Sequence, residues 1–329
     1  MKIAFLMDPL ESIDPTDETT SCLMYECNQR GHDLYFLEPH DLYIKSNRIR
    51  ARMKHITVEG DQPLSQYWSA IIQCVETEER LFEDVTELDV LFLRKDPPIN
   101  FKTIDFLQLA KDDVFIINDI QGQVNASSKL YNLNFPEIIP ETHITRDPGR
   151  IRRIIDEFGG YMVMKPTAGH KGEGVIKVST KDPENLNSLI NYYVNLSRPY
   201  EERNPVIIQE YLHDEGGGDV RILLLNGEIL GAMRRIPCDG EFRANIHAGG
   251  RAEKHEVTKP ERKVCERLKD KLIVDGLFFV GIDLIANKLV EINCTSPGGI
   301  PRINRLNGDK LESRVIDFIE AKVDERRRT

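Results

Sequence analysis

Apolar positions along this chain change rhythm partway through. In the first third they come as short unbroken runs, Ile3–Met7, Leu34–Leu37, Val90–Leu93 and Val114–Ile117, which read as strands buried on both faces of a parallel sheet. A helical stretch, Ser21–Arg30, follows the first run, and Gly31 stands in the position of its C-cap. This strand–helix alternation predicts an α/β domain over residues 1–120. Beyond Gln121 the pattern turns to hairpins. Tyr161–Pro166 and Val175–Val178 flank a glycine-bearing segment, and Val206–Leu212 is a further buried strand. Asp219–Leu225 and Glu228–Met233 flank Asn226-Gly227, a strong hairpin signal. Helical spacing returns in Thr258–Asp275, through Val264, Leu268, Leu272 and Ile273, and in Leu311, Val315, Phe318, Ile319 and Val323 near the C-terminus.

The most informative pattern is Val280–Ile285 followed by Leu289–Asn293, two alternating runs too close for anything but a hairpin. A three-residue connection, Ala286-Asn287-Lys288, sets Ile282 opposite Ile292 and Leu284 opposite Val290 on one apolar face. The other face then carries Asp283 opposite Glu291, with Asn293 on the same side. A two-residue turn is expected to separate the two acids. Adjacent carboxylates repel unless a cation lies between them, and Asp, Glu and Asn without His or Cys suit Mg²⁺ or Mn²⁺. A surface hairpin with solvated acids is the alternative.

Other candidate chemistry is cationic or glycine-rich. Arg94 and Lys95 follow a strand end, where open α/β sheets receive ligands; ion pairs with neighbouring acids are the alternative. Lys165 precedes Thr167–Gly174, whose glycines allow backbone N–H groups to approach phosphate, although no GK[ST] motif is present. The polar end of Val206–Leu212 suits an adenine edge and ribose hydroxyls. The long segment Ile236–Arg251, with arginines 243 and 251 and Asn245, suits a lid over phosphates. His247 within it reads as an exposed loop histidine.

Composition narrows the classes. The 329 residues carry a net charge of −10, which argues against a nucleic-acid binder. No apolar run approaches the roughly 20 residues that span a bilayer, and the N-terminus lacks a signal-peptide pattern. Six cysteines without paired metal-ligand spacing favour reduced thiols in a cytoplasmic protein; Cys294, beside the hairpin, reads as a small core residue. The closing Arg326-Arg327-Arg328 reads as a solvated helix tail.

Taken together, these pieces resemble the ATP-grasp ligases, and among them the bacterial glutathione synthetases. The resemblance covers nearly the whole chain: FLMDP at the start, DLY at 41–43, LDVLFLRKDPP at 88–98, PETHITR at 140–146, MKP around Lys165, RRIPCDGEFRANIHAGGRAE at 234–253 and GLFFVGIDLIANKLVEINCTSPGGI at 276–300. It departs in the loop GHKGEG, where His170 and Lys171 are bulky, and in the continuation TSPGGIPRIN.

The resemblance implies a Rossmann-like pre-ATP-grasp α/β domain (1–120) followed by a two-lobed ATP-grasp α+β fold, with a small lobe (121–203) and a C-terminal lobe (204–329). It implies a ligase in which ATP phosphorylates the cysteinyl carboxylate of γ-glutamylcysteine and the glycine amine attacks the acyl phosphate. Lys129 and Lys165 would neutralise phosphates under the loop of Gly169, Gly172 and Gly174. Gln209, Glu210, Tyr211, Leu212 and Asp219 would line the nucleotide site. Asp283, Glu291 and Asn293 would hold Mg²⁺ (or Mn²⁺). Arg221, Arg235, Arg243 and Arg251 would act on the acyl phosphate. Arg94, Asn245, Ser296, Gly298 and Gly299 would bind substrate. The small molecules γ-glutamylcysteine, glycine and ATP are the implied partners, with neither nucleic acid nor membrane, and the assembly a homo-oligomer, by resemblance a tetramer. Another ATP-grasp carboxylate–amine ligase is the rival reading, and a non-catalytic ATP-binding regulator a second.

Overall fold

The computed structural model describes residues 1–59, 62–167, 172–213, 217–238, 244 and 249–328, and these fold around three sheets. The first contains β1 (Lys2–Leu6), β2 (Asp33–Leu37), β3 (Leu42–Lys45), β4 (Arg48–Ile56), β5 (Leu81–Asp84), β6 (Val90–Leu93) and β7 (Phe115–Ile117). Its order is β3-β4-β2-β1-β6-β7, with β5 also paired to β4. The pairs β2–β1–β6–β7 are parallel, as the unbroken apolar runs require. Along β1, Ile3 and Phe5 enter one core while Ala4 and Leu6 enter another on the opposite face. Helices α1 (Thr19–Gln29) and α2 (Leu64–Thr77) supply the first of those cores with Leu23, Met24, Tyr67 and Trp68. The antiparallel ribbon β3–β4–β5 was not among the expected strands; its half-exposed, charge-bearing alternation gives a weaker signal than a run buried on both faces.

After α3 (Ile120–Ala126) comes the second sheet, built from β8 (Thr142–Thr145), β9 (Tyr161–Pro166), β10 (Ile176–Ser179) and β11 (Val206–Glu210) in the antiparallel order β10-β9-β11-β8. Helices α4 (Pro148–Glu157) and α5 (Pro183–Val194) cover it through Ile151, Ile154, Leu186 and Ile190. The junction expected at residues 203/204 would cut β11 from this sheet. Its pairing with both β8 and β9 keeps it there, and pairing partners are not readable from one strand's own residues. Residues 126–139 also depart from the expected division, because Ala126, Tyr131, Phe135 and Ile139 pack into the core of the third sheet.

The third sheet runs β14-β13-β12-β15-β16, from β12 (Asp219–Leu225), β13 (Glu228–Ile236), β14 (Arg251–Lys254), β15 (Phe279–Ile285) and β16 (Lys288–Asn293). Asn226-Gly227 makes its first turn, with both φ values positive. One face packs on α6 (Lys259–Val274), whose start is fixed by a capping box between Thr258 and Glu261. The other face contributes Leu223, Leu230, Met233 and Phe279 to the core of the first sheet, together with α7 (Ile300–Asn307) and α8 (Leu311–Arg328). First and third sheets therefore share one interior.

Candidate active site

A cavity of about 640 Å³ opens where the carboxyl ends of β1 and β6 meet the β15–β16 hairpin. Asn118, just past β7, fastens the two sheets at this point. Its amide donates to the carbonyls of Phe279 (2.6 Å) and Cys294 (2.7 Å), while its own oxygen accepts from Phe279 N–H (2.8 Å). These bonds fix the start of β15 and the residue just beyond β16.

The hairpin itself corrects the expected turn. Ala286 and Asn287, at φ 48° and 62°, form a two-residue connection, and Leu284 faces Leu289, not Val290. Yet Asp283 still faces Glu291 and Ile282 faces Ile292, because the register shifts by one residue between Asp283 and Leu284. Val290 is the extra residue of a β-bulge. Leu289 and Ile292 both reach the core, a spacing of three that strict alternation forbids. The acids thus share a face for a reason other than turn length.

Around Asp283 the charges interlock. Arg221, its direct neighbour on β12, donates from Nε (2.5 Å) and Nη2 (2.8 Å) to the two carboxylate oxygens. Arg235 lies 2.9 Å from Asp283 Oδ1 and holds Asp219 by two bonds of 2.6 and 2.7 Å. Asn293 donates to Asp283 Oδ2 at 3.3 Å. Burial pushes the Asp283 carboxyl up, but Arg221 and Arg235 outweigh it and hold the group well below the usual range. Glu291 goes the other way: burial and the charge of Asp283 raise it, against the pull of Lys129, 3.9 Å away. Lys165, 7% exposed on β9, is drawn down to about 8 by burial, with Glu291 opposing and Lys129 adding to the fall.

This donor set fits a hard divalent cation. One carboxylate is held charged, a second faces it with its charge incompletely matched, and an amide stands on the same face. Among the described residues no group of three His, Cys, Asp or Glu side chains is placed to hold a metal ion, and the set here is two carboxylates with an amide.

Several expected site residues have other work. Arg94 is buried and donates to Thr20 Oγ1 (2.9 Å), the Pro297 carbonyl (3.1 Å) and Glu18 (3.2 Å), while Lys95 pairs with Asp8. The ion pairs describe both, and both also line the cavity. Gly299 N–H donates to Thr19 Oγ1 (3.1 Å), as does Ile300 N–H (3.2 Å), so Thr19 caps α7 and the Gly299 amide is engaged there. Gly298 accepts from Arg221 (3.4 Å), and Ser296 donates to the Arg94 carbonyl (3.4 Å). Glu210 pairs with Lys288 at 2.5 Å, which holds its carboxyl low, and Gln209 donates to Thr142 inside the second sheet. Asp219 faces Arg235. Tyr211 lies under the Lys177 ammonium, 3.7 Å from the ring centre, next to half-buried Leu212. Gly172 and Gly174 have φ of 77° and 65°, and a Cβ on Gly174 would come within 3.0 Å of the Pro166 ring. Arg251 is exposed on β14, pairs with Glu253 and does not line the cavity. Gly169, His170, Lys171, Arg243, Asn245 and His247 lie outside the described residues. Thr19, Asn118 and Asn132, none of them expected, position the site through side-chain hydrogen bonds that carry no sequence periodicity.

Solved structures share this architecture at low identity. An ATP-grasp ligase PsnB, complexed with a phosphomimetic variant of its minimal precursor, Mg and ADP, matches with a TM-score of 0.63 at 17% identity, covering 98% of each chain. D-cycloserine synthetase DcsG matches at 0.62 and 15%, covering 99% of this chain and 100% of that one. The fold is that of the ATP-grasp ligases. Two family models place it more closely: prokaryotic glutathione synthetase, N-terminal domain, over residues 1–123, and prokaryotic glutathione synthetase, ATP-grasp domain, over 128–308. Curated relatives named glutathione synthetase include those of Synechocystis sp., 36% identical over 97% of this chain and 99% of its own, and of Brucella melitensis, 34% identical over 98% and 99%. This chain belongs to the prokaryotic glutathione synthetase family.

Proposed function

We propose that this protein is an ATP-dependent ligase that joins γ-glutamylcysteine to glycine. A carboxylate oxygen of the acid attacks the γ-phosphorus of ATP, the bond to ADP breaks, and an acyl phosphate forms. The glycine nitrogen then attacks the acyl carbon, loses a proton, and expels phosphate with the bonding electrons. The observation that carries the reading is one cavity lined by Arg221, Arg235, Lys129 and Glu291, with buried Asp283 paired to the two arginines. Such a site neutralises phosphate and carboxylate oxygens together, and rate enhancement comes from positioning and preset charge without a nucleophilic side chain. Cys294, pushed up to about 12 by burial, is a thiol at neutral pH and supplies no nucleophile.

Arg221 and Arg235 are braced by Asp283 and Asp219, which orient their planes for carboxylate or acyl-phosphate oxygens. Lys129, at the start of a 3₁₀ turn, and Lys165, on β9, would face the phosphates. Asp283, Glu291 and Asn293 would hold Mg²⁺, with Mn²⁺ as a substitute, and the ion would offset charge building on the transferred phosphoryl group. No helix among the described residues is long and apolar enough to cross a membrane. A cytoplasmic homotetramer is the setting we propose, and sedimentation of the purified protein tests the assembly. The decisive assay combines protein, ATP, Mg²⁺, γ-glutamylcysteine and glycine. Stoichiometric ADP and tripeptide are expected; phosphate release only with a different acid and amine would overturn the substrate assignment.

A further inference from the structure

The acids of the β15–β16 hairpin share a face only because Val290 bulges. In an unbulged two-residue hairpin, Asp283 would meet Val290 and Glu291 would meet Ile282, turned toward the apolar core. A bulge is a local option, and it lies here on an edge strand, the last in the order of the third sheet. Something must hold it.

The holder is the turn of 3₁₀ helix at Lys129–Asn134. Asn132, 7% exposed, donates its side-chain amide to the carbonyl of Val290 itself (3.1 Å). Just before the bulge, Leu289 N–H donates to the carbonyl of Ile138 (2.8 Å). Residues three apart eclipse one another on a 3₁₀ turn, so Lys129 and Asn132 both face β16. Lys129 approaches Glu291, while Asn132 grips the residue that sets where Glu291 points.

We infer that Asn132 is a positioning residue for divalent-cation binding: its bond to the Val290 carbonyl locks the bulge that keeps Glu291 facing Asp283. The inference rests on the reading of those two acids as cation ligands. Loss of a group that orients a metal ligand typically lowers metal affinity about 10–100-fold. Asn132→Leu keeps the shape and removes the donor.

The test measures Mn²⁺ binding to the protein–ADP complex by electron paramagnetic resonance, alongside calorimetric ADP binding without metal. Glu291→Gln serves as the reference. Asn132→Leu should weaken Mn²⁺ binding at least about 10-fold and leave metal-free ADP binding within about twofold; a general loss of structure would weaken both. Asn132→Ser, smaller and able to engage a water, should fall between wild type and Asn132→Leu, and carries the test if the leucine variant does not fold. If Glu291→Gln leaves Mn²⁺ binding unchanged, the ligand reading itself is wrong. If Glu291→Gln weakens it while the Asn132 variants match wild type, the lock is refuted and the ligand reading stands.

Discussion

Lys165 is a buried cation built into a sheet. Burial draws its ammonium from 10.5 to about 8, so the unfolded chain binds this proton more tightly than the fold does. Between about pH 8 and 10.5 stability therefore rises with pH, and below pH 8 the full cost is present. That difference corresponds to on the order of 3 kcal/mol, with the attraction to Glu291 already counted in it. Lys165→Met should thus melt higher than wild type at pH 7, with a smaller gain at pH 10, while losing turnover. Thermal unfolding at the two pH values checks this, and a variant that melts lower at pH 7 contradicts it. The two acids separate in the same way. Asp283→Asn leaves Arg221 and Arg235 short of a buried partner and should cost ~3–5 kcal/mol in urea unfolding. Glu291→Gln replaces a group that the fold already pushes toward its neutral form. Without metal it should be at least as stable as wild type, although both substitutions abolish ligation.

At the scale of elements, the turn of the β15–β16 hairpin is not optimal for its own geometry. Ala286 sits at φ 48°, a left-handed conformation that costs a residue with a Cβ about 1–2 kcal/mol. Asparagine tolerates it better, so Ala286→Asn should raise the unfolding midpoint with kcat unchanged; a midpoint at or below wild type would argue against strain there. The same hairpin shows how far the sequence could be read. The facing of Asp283 with Glu291 and of Ile282 with Ile292 was expected from a three-residue turn and holds through the bulge instead, while its two strands follow from side-chain alternation. Its turn and bulge do not, because the bulge is stabilised by Asn132 and Ile138, more than 150 residues earlier in the chain. The parallel strands were legible because burial on both faces leaves unbroken apolar runs. The partners of Arg94 were not, since an arginine at a strand end does not announce Glu18 or the Pro297 carbonyl, which lie far off in the sequence. Thr19 was equally silent, capping α7 from a segment 280 residues distant.

Across the whole molecule, cohesion is uneven. The first and third sheets share a single core, in which Ile3 and Phe5 of β1 belong with Leu223 of β12, Phe279 of β15 and the inner face of α8. Arg30, after α1, adds bonds to Asp317 (2.7 Å) and Glu320 (2.9 Å) on that last helix. The second sheet stands apart, with a core drawn wholly from residues 151–208. Among the contacts joining it to the rest are polar ones such as Glu210 with Lys288 and Lys129 N–H with the Thr167 carbonyl. A unit with its own core opens at its own free energy. In hydrogen exchange, amides of β9, β10 and β11 should therefore exchange through a lower-energy opening than those of β1, β12 and β15. Nucleotide contacting both Lys165 on the second sheet and the hairpin of the third would oppose that opening. At 100 times its dissociation constant a ligand adds about 2.7 kcal/mol to whatever opening releases it. ADP with Mg²⁺ should accordingly slow β9–β11 exchange about 100-fold and bring it toward the rate of the shared core. A single opening energy for all three sheets without nucleotide would mean that the polar contacts at the junction couple the lobes as firmly as a common apolar interior does.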